Sequence, residues 1–351
     1  MTSLVLTLTE TLRYRGAIGQ WSWVLHRVTG LGVLFFLVLH VIDTSWAVFY
    51  PDLYVHAIAT YQTPLFTIGE FALVASVVYH ALNGVRISLF DFRPKWWKHQ
   101  QKAAMIVLGL SVVILIPVFI LMFGHVLDFY QDSPQTLGLV EVITAQLPFL
   151  AGFAVAIIAA ILFSAVFGLI AGGEKDKTVG KGRGSRLERF WWSFMRVSGL
   201  IIVPLVFGHL AMMHVIQGVF DITAAGHAVV GTTAIGAEQI GNGINDTATA
   251  VEFVAERWNF LFAGVAVWKL YDLALLALVV VHGFNGLRYV LTDYTMSSPL
   301  FRRAAVYLCV IGAVILLVLG AGALLSTIDS SAIEMATQAA ENLHLPDGTQ
   351  P

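Results

Sequence analysis

The sequence predicts an all-α, polytopic transmembrane bundle of about seven spans, and three observations predict it. Of 351 residues, 58% are hydrophobic and 12% charged, and the mean hydropathy is +0.79, well above that of a water-soluble domain. Seven stretches reach the roughly 20 apolar residues a helix needs to cross a bilayer core. Eighteen of the twenty Lys and Arg fall in connections on one side of these spans, as the positive-inside rule requires.

The spans are expected near 24–49, 66–90, 103–127, 147–171, 194–219, 260–291 and 303–327. The basic side holds Arg13, Arg15, Arg27, Arg86, the turn "DFRPKWWKHQQK", the loop "GGEKDKTVGKGRGSRLER", Arg196, Arg288 and "FRR". The opposite side comprises 50–65, 128–146, 220–259 and the tail after 327, with Arg257 and Lys269 as the two exceptions. This places the N-terminus in the cytoplasm and the C-terminus outside, in an inner (plasma) membrane. The opening "MTSLVLTLTETLRYRG" lacks both a basic first segment and a signal-length apolar core, so the start is read as mature. The Gly-, Lys- and Arg-rich loop 172–190 is the expected linker between two halves. Residues 220–258 are expected to form an external loop with a short surface helix. The single Cys309 excludes a disulfide framework and a Cys-ligated zinc or iron–sulfur centre in this chain. A net charge of −2 points to no particular partner, and none of the motifs suggests nucleic acid.

An internal repeat organises the spans. "RVTGLGVLFFLVLH" (27–40) matches "RVSGLIIVPLVFGH" (196–209), with a histidine thirteen residues after the arginine in each. "HALNGVRISLFD" (80–91) matches "HGFNGLRYVLTD" (282–293), each with the pattern His-x-x-Asn-Gly-x-Arg and an Asp seven residues after the Gly. The chain therefore divides into a first three-helix unit (1–130), a linking span and basic loop (131–190), a second three-helix unit (191–328) and an external tail (329–351), the two units being those that carry the paired histidines. The fourth span has no counterpart, and it restores the orientation of the second unit.

If the four arginines mark the inner interface, His40 and His209 lie roughly 20 Å along their helices from it, and His80 and His282 roughly 9 Å. Four intramembrane histidines thus form two pairs at two depths. A neutral imidazole keeps a donor and an acceptor that hydrocarbon cannot satisfy. A haem takes two such side chains, one per axial face, between the helices that supply them. Gly84 and Gly286, one turn after His80 and His282, would leave room for the flat ring. Arg86 and Arg288 would meet haem propionates or serve as interfacial anchors. His214 rivals His209 as the ligand on its span, and the repeat favours His209. His56, His99, His125, His227 and His344 fall in loops or near span ends and are expected to be solvated. Cys309 is expected in the core. Gly30 and Gly199 fit close helix packing equally well. Lys269 and Asp272 fit two readings, propionate partners or a pair with each other.

These residues resemble a family, the cytochrome b membrane anchor of succinate dehydrogenase and fumarate reductase. "LHRVTG" with "YHALNGVRISLFDF" resembles its larger anchor subunit, and "VVVHGFNGLRYVLTDY" resembles the haem helix of its smaller one. The resemblance implies two anchors fused in one chain, with His80 and His282 on a haem b near the inner surface and His40 and His209 on a second, deeper haem b. It implies Arg27, His26, Arg86, Arg288, Gly84 and Gly286 around the cofactors. It further implies a quinone site at the inner interface, with Tyr294 bonding a carbonyl beside Arg27 and Asp293. The family's serine four residues before that arginine is replaced here by Trp23, with Ser22 and Ser193 as substitutes. Implied partners are a flavoprotein and an iron–sulfur subunit on the cytoplasmic face, lipid, and a quinone, menaquinone by analogy with two-haem members. A higher homo-oligomer of the complex is compatible with this.

The competing readings are a diheme cytochrome b of a formate- or hydrogen-oxidising complex, and a transporter with midplane polar groups. Against the transporter, the two repeats have the same orientation and their polar groups are mostly histidines. The direction of catalysis, quinone type, haem potentials and oligomeric state are not encoded legibly.

Overall fold

The computed structural model describes residues 16–61, 64–132, 140, 144, 147–170, 186–211, 250–295 and 297–341. Among them regular structure is helical, with seven helices long and apolar enough to cross a membrane. These are α1 (Ile18–Phe49), α3 (Pro64–Phe92), α4 (Gln100–Asp132), α5 (Leu147–Ile170), α6 (Arg186–Leu210), α8 (Val267–Tyr294) and α9 (Pro299–Leu325). Three shorter helices complete the set: α2 (Pro51–Tyr61), α7 (Ala250–Asn259) and α10 (Ser330–Glu341). The protein is an all-α polytopic bundle. His214, His227, His344 and most of the 172–190 linker lie outside the described residues.

Prolines and small polar caps set several boundaries. Tyr50 leaves helical geometry (φ −148°, ψ 70°) because Pro51 follows it and starts α2. Pro299 opens α9 behind Ser298, whose hydroxyl accepts from the Phe301 N–H at 3.5 Å. The Asp329 carboxylate caps α10 through the backbone N–H groups of Ser331 and Ala332, both at 3.1 Å. The Ser331 hydroxyl bond, with these N–H groups, holds that carboxyl below its usual range. Pro117 in α4 and Pro204 in α6 are accommodated within otherwise continuous helices.

The two largest shifts of a helix start from the sequence expectation are those of α8 and α6. The span expected from 260 begins at Val267, because residues 262–265 close a tight turn with Ala263 and Gly264 at positive φ (49° and 79°). The span expected at 194 begins earlier, at Arg186, so its first two turns are polar and extend beyond the apolar segment.

Four helices close a ring in the order α1, α3, α6, α8, each packing on the next and α8 returning to α1. Within it α1 faces α6 and α3 faces α8 across the diagonals. α4 covers α3 and α1, α9 covers α8 and α1, and the linking helix α5 packs on the outside of α9. At the end away from the basic connections, α2, α7 and α10 pack together as a cap. The helix expected on the surface of the 220–258 segment is α7, and it is buried: Val251 is wholly inaccessible and Arg257 2% exposed. It is covered because α2 and α10, which the hydropathy pattern does not announce, lie across it.

The contact between α1, α8 and α9 is made by a glycine. A methyl group at Gly320 would stand 2.8 Å from Leu276 Cδ2 and 2.9 Å from Val41 Cγ1, inside van der Waals contact. Gly320→Ile is therefore expected to wedge three helices apart at a cost of about 1–3 kcal/mol. A lowered melting temperature of the purified protein in mild detergent checks this.

Candidate functional site

Each pair of repeat-related histidines spans one diagonal of the four-helix ring. His80 stands on α3 and His282 on α8; His40 stands on α1 and His209 on α6. Facing side chains on opposite helices are how bundles build cofactor sites.

Around His80 and His282 the hydrogen bonds fix the imidazole tautomers. His80 Nδ1 lies 3.0 Å from the carbonyl oxygen of His26, which only accepts, so Nδ1 carries the proton. His282 Nδ1 lies 2.9 Å from Ser198 Oγ, and that hydroxyl spends its proton on the Phe194 carbonyl at 2.6 Å. Ser198 must then accept from His282, which also carries its proton on Nδ1. Both rings are left with an Nε2 lone pair, the form in which histidine ligates a metal while its other nitrogen is anchored.

The rings fit against backbone from which side chains are missing. A Cβ on Gly30 would come 2.7 Å from His80 Cε1, and one on Gly199 would come 3.3 Å from His282 Cε1. These two glycines are equivalent in the repeat, and each seats an imidazole of its own unit. Gly84 and Gly286 instead face His26 and Met195, again repeat equivalents, where a Cβ would only touch at 3.6 and 3.7 Å. His26 stacks on His80 with centroids 4.0 Å apart and planes within 6°.

At the end with the basic connections the two units exchange ion pairs. Arg27 of the first bonds Asp293 of the second, and Arg196 of the second bonds Asp91 of the first at 2.8 Å. Each arginine also lies over the tryptophan four residues before it, Arg27 over Trp23 at 3.9 Å and Arg196 over Trp192 at 4.4 Å. Tyr294, next to Asp293, is 68% exposed. Its repeat equivalent beside Asp91 is Phe92, which has no hydroxyl. Ser22 is buried and its hydroxyl is consumed within the protein: it donates to Asn83 Oδ1 (2.9 Å) and accepts from Tyr79 OH and Arg86 Nη2 (both 3.1 Å). Ser193 is exposed and lines an open cavity of about 500 Å³ with Trp192 and Tyr289, a lining that does not include Tyr294. Arg86 also reaches the Gln100 carbonyl at 3.4 Å. Arg288 donates to Asn285 Oδ1 (2.9 Å) and approaches Glu188 (3.4 Å), while its buried Nη2 has no hydrogen-bond partner.

In the deeper layer the rings of His40 and His209 lie 6.4 Å apart and nearly perpendicular, at 79°. Two imidazoles bound on opposite sides of one metal ion by bonds of about 2 Å have ring centres roughly 6 Å apart, so this pair stands at a bis-ligand spacing. Asp272 lies 3.4 Å from His209 Nδ1 and is held by both Nη2 and Nε of Arg257 at 3.0 and 3.2 Å. Lys269 does not pair with Asp272; it donates to the Ser326 carbonyl at 2.6 Å. The residues present therefore have the chemistry and placement of haem ligands. Sequence reasoning missed Ser198 and Arg257. Ser198 was visible as the hydroxyl residue of the repeated phrase, whereas nothing in the sequence tied Arg257 to Asp272.

The fold and these sites define a multi-pass helical membrane protein with paired intramembrane histidines from two repeats. The succinate dehydrogenase/fumarate reductase transmembrane subunit family matches residues 8–119. The chain is 36% identical over 118 residues to the succinate dehydrogenase 2 membrane subunit of Mycobacterium tuberculosis, covering 87% of that protein and 34% of this one. It is 26% identical over 105 residues to a succinate dehydrogenase hydrophobic membrane anchor subunit of Halobacterium salinarum, covering 81% of that protein and 29% of this one. No solved structure matches. The chain belongs to the succinate dehydrogenase/fumarate reductase transmembrane subunit family, as a membrane anchor.

The exchanged ion pairs join the two units, and both partners of the second are largely sheltered. Asp91→Ala and Arg196→Ala are each expected to lower stability by about 1.5–3 kcal/mol. The double substitution is expected to cost less than their sum, measured as a double-mutant cycle of thermal unfolding.

Proposed function

We propose that this chain is the diheme cytochrome b anchor of a succinate:quinone oxidoreductase, carrying in one polypeptide both anchor halves of the complex. The observation that carries the reading is the repeat-related pair His80 and His282, each held through Nδ1 with Nε2 free, on opposite helices of the ring. His80 and His282 hold the haem nearer the basic end, and His40 and His209 hold the deeper one. Bound there, the haems supply one-electron storage between a docked iron–sulfur subunit and a quinone. The chain's own residues would supply the histidine ligands, hold their rings and surround the group with apolar side chains. The spare donor of Arg288, with Arg86 opposite, suits the propionates of the shallower haem.

The quinone site is assigned to the corner of Trp23, Arg27, Asp293 and Tyr294. There an exposed phenol follows in sequence the carboxylate that holds Arg27, and Trp23 offers an aromatic wall. Tyr294 donates to a quinone carbonyl, and Arg27 stabilises negative charge on that oxygen. His26, one residue before Arg27 and stacked on His80, lies between this corner and the shallower haem site. The related corner at Arg196 carries Phe92 in place of the phenol, and so this site is single. Ser22, whose hydroxyl is bonded to Asn83 and Tyr79, is left out of this assignment. The flavoprotein and iron–sulfur partners, suggested by the relatives' membership of succinate dehydrogenase, dock on the basic, cytoplasmic end. Menaquinone rests on the two-haem resemblance.

Purified from its membrane as the intact complex, the protein is expected to show two b-type haems per chain in the reduced-minus-oxidised spectrum. His80→Ala and His282→Ala each remove the same haem, and His40→Ala and His209→Ala the other; a wild type without haem overturns the reading. Gly30→Leu, which fills the seat of the His80 ring, is expected to lose the shallower haem while the deeper one stays. Tyr294→Phe removes one hydrogen bond of about 0.5–1.5 kcal/mol. It should reduce kcat/KM for quinone by about 3- to 10-fold with both haems retained.

A further inference from the structure

The two histidine layers differ in what faces the Nδ1 edge of their ligands. In the shallower layer it is a neutral oxygen, the His26 carbonyl or the Ser198 hydroxyl. In the deeper layer His209 meets a carboxylate: Asp272 Oδ1 lies 3.4 Å from His209 Nδ1, and that buried nitrogen makes no hydrogen bond. Asp272 is itself sheltered, with 13% of its side chain exposed against 3% for Arg257. Arg257 grips it through three contacts of 3.0–3.2 Å and lies 4.8 Å over the Trp268 ring. The same turn of α8 also clamps the backbone of α6. The Tyr271 hydroxyl donates to the Leu205 carbonyl at 2.5 Å and lies against Gly208, where a Cβ would come within 2.7 Å. Both ends of the α6 turn that carries His209 are thus held by adjacent residues of α8.

We propose that Asp272 is the positioning residue of the deeper haem ligand, with Arg257 of α7 setting how much of its charge His209 feels. This rests on the two-haem reading above. A carboxylate at the far nitrogen of a ligating imidazole fixes the ring and raises its basicity, which favours the more highly charged, oxidised metal. Asp272→Asn removes that charge and leaves Arg257 positive beside the ligand, so the oxidised form loses support twice. Arg257→Gln removes the counter-charge and leaves the carboxylate at full strength, so the effect reverses sign. No such device stands at His80 or His282, whose haem should ignore both substitutions. The assignment also accounts for one of the two basic residues outside the cytoplasmic side: Arg257 is tied inside the cap by Asp272.

The test is a potentiometric titration of both haems in the purified complex, with the low-spin ferric EPR signal of the deeper haem as a readout of ring orientation. In Asp272→Asn the reduced-to-oxidised ratio of the deeper haem at fixed potential should rise about tenfold, an upward shift of about 59 mV for one electron. Its EPR signal should move, and the shallower haem should not. Arg257→Gln should shift the deeper haem downward. If Asp272→Asn loses the deeper haem, Asp272→Glu should restore it, and failure to do so overturns the assignment. An unchanged potential and EPR signal in Asp272→Asn, with two haems present, also overturns it and leaves the two-haem reading intact. A wild type whose haem content is unaffected by His40→Ala and His209→Ala overturns the deeper site, and this inference with it.

Discussion

An imidazole within the hydrocarbon layer has no water to complete its hydrogen bonds, and most of the bundle's inner architecture answers to that constraint. His80 finds a backbone carbonyl and His282 a serine hydroxyl that has already given away its proton. Each acceptor lies on the helix preceding the histidine's own in its repeat, so that α1 must approach α3 and α6 must approach α8. Gly30 and Gly199 permit the approach at the level of the ring. Once both contacts are made, the other two sides of the ring follow from the exchange of ion pairs between repeats.

That exchange shows how a duplicated sequence builds one body rather than two. An arginine and an aspartate recur in each repeat, and each pairs with its counterpart in the other repeat rather than in its own. Duplication supplies matched surfaces without any new residue. Departures from the symmetry then mark where the halves have diverged. Ser22, the hub of a buried network, is answered by Trp191; His26 by Met195; Tyr294 by Phe92. α1 also packs on both α4 and α9, so the first repeat lies near the centre of the bundle.

The two ends of the molecule handle charge differently. At the basic end, Arg27, Arg196 and Arg288 combine ion pairing with stacking on aromatic rings, which suits an interface with water and headgroups. At the opposite end the cations are withdrawn from solvent: Arg257 is sealed under the cap by Asp272, and Lys269 is spent on a helix-terminal carbonyl. A basic residue neutralised in this way does not oppose the charge bias of the loops.

The sequence by itself determined the helical class, the number of spans, the repeat and the four histidines at two depths. These are properties of local hydropathy and spacing, which a helix converts directly into position along the membrane normal. It also marked Arg27, Asp293 and Tyr294 by motif. Only the tertiary structure decided which helices face one another, because lateral order leaves no trace in periodicity when nearly every face is apolar. The tautomers of His80 and His282, the seating of their rings at Gly30 and Gly199, and the internal capture of Ser22 all depend on that lateral order. So does the burial of α7, which brings Arg257 to Asp272 and His209. Residues far apart in the chain met there because their charges could not be left unpaired in a medium without water.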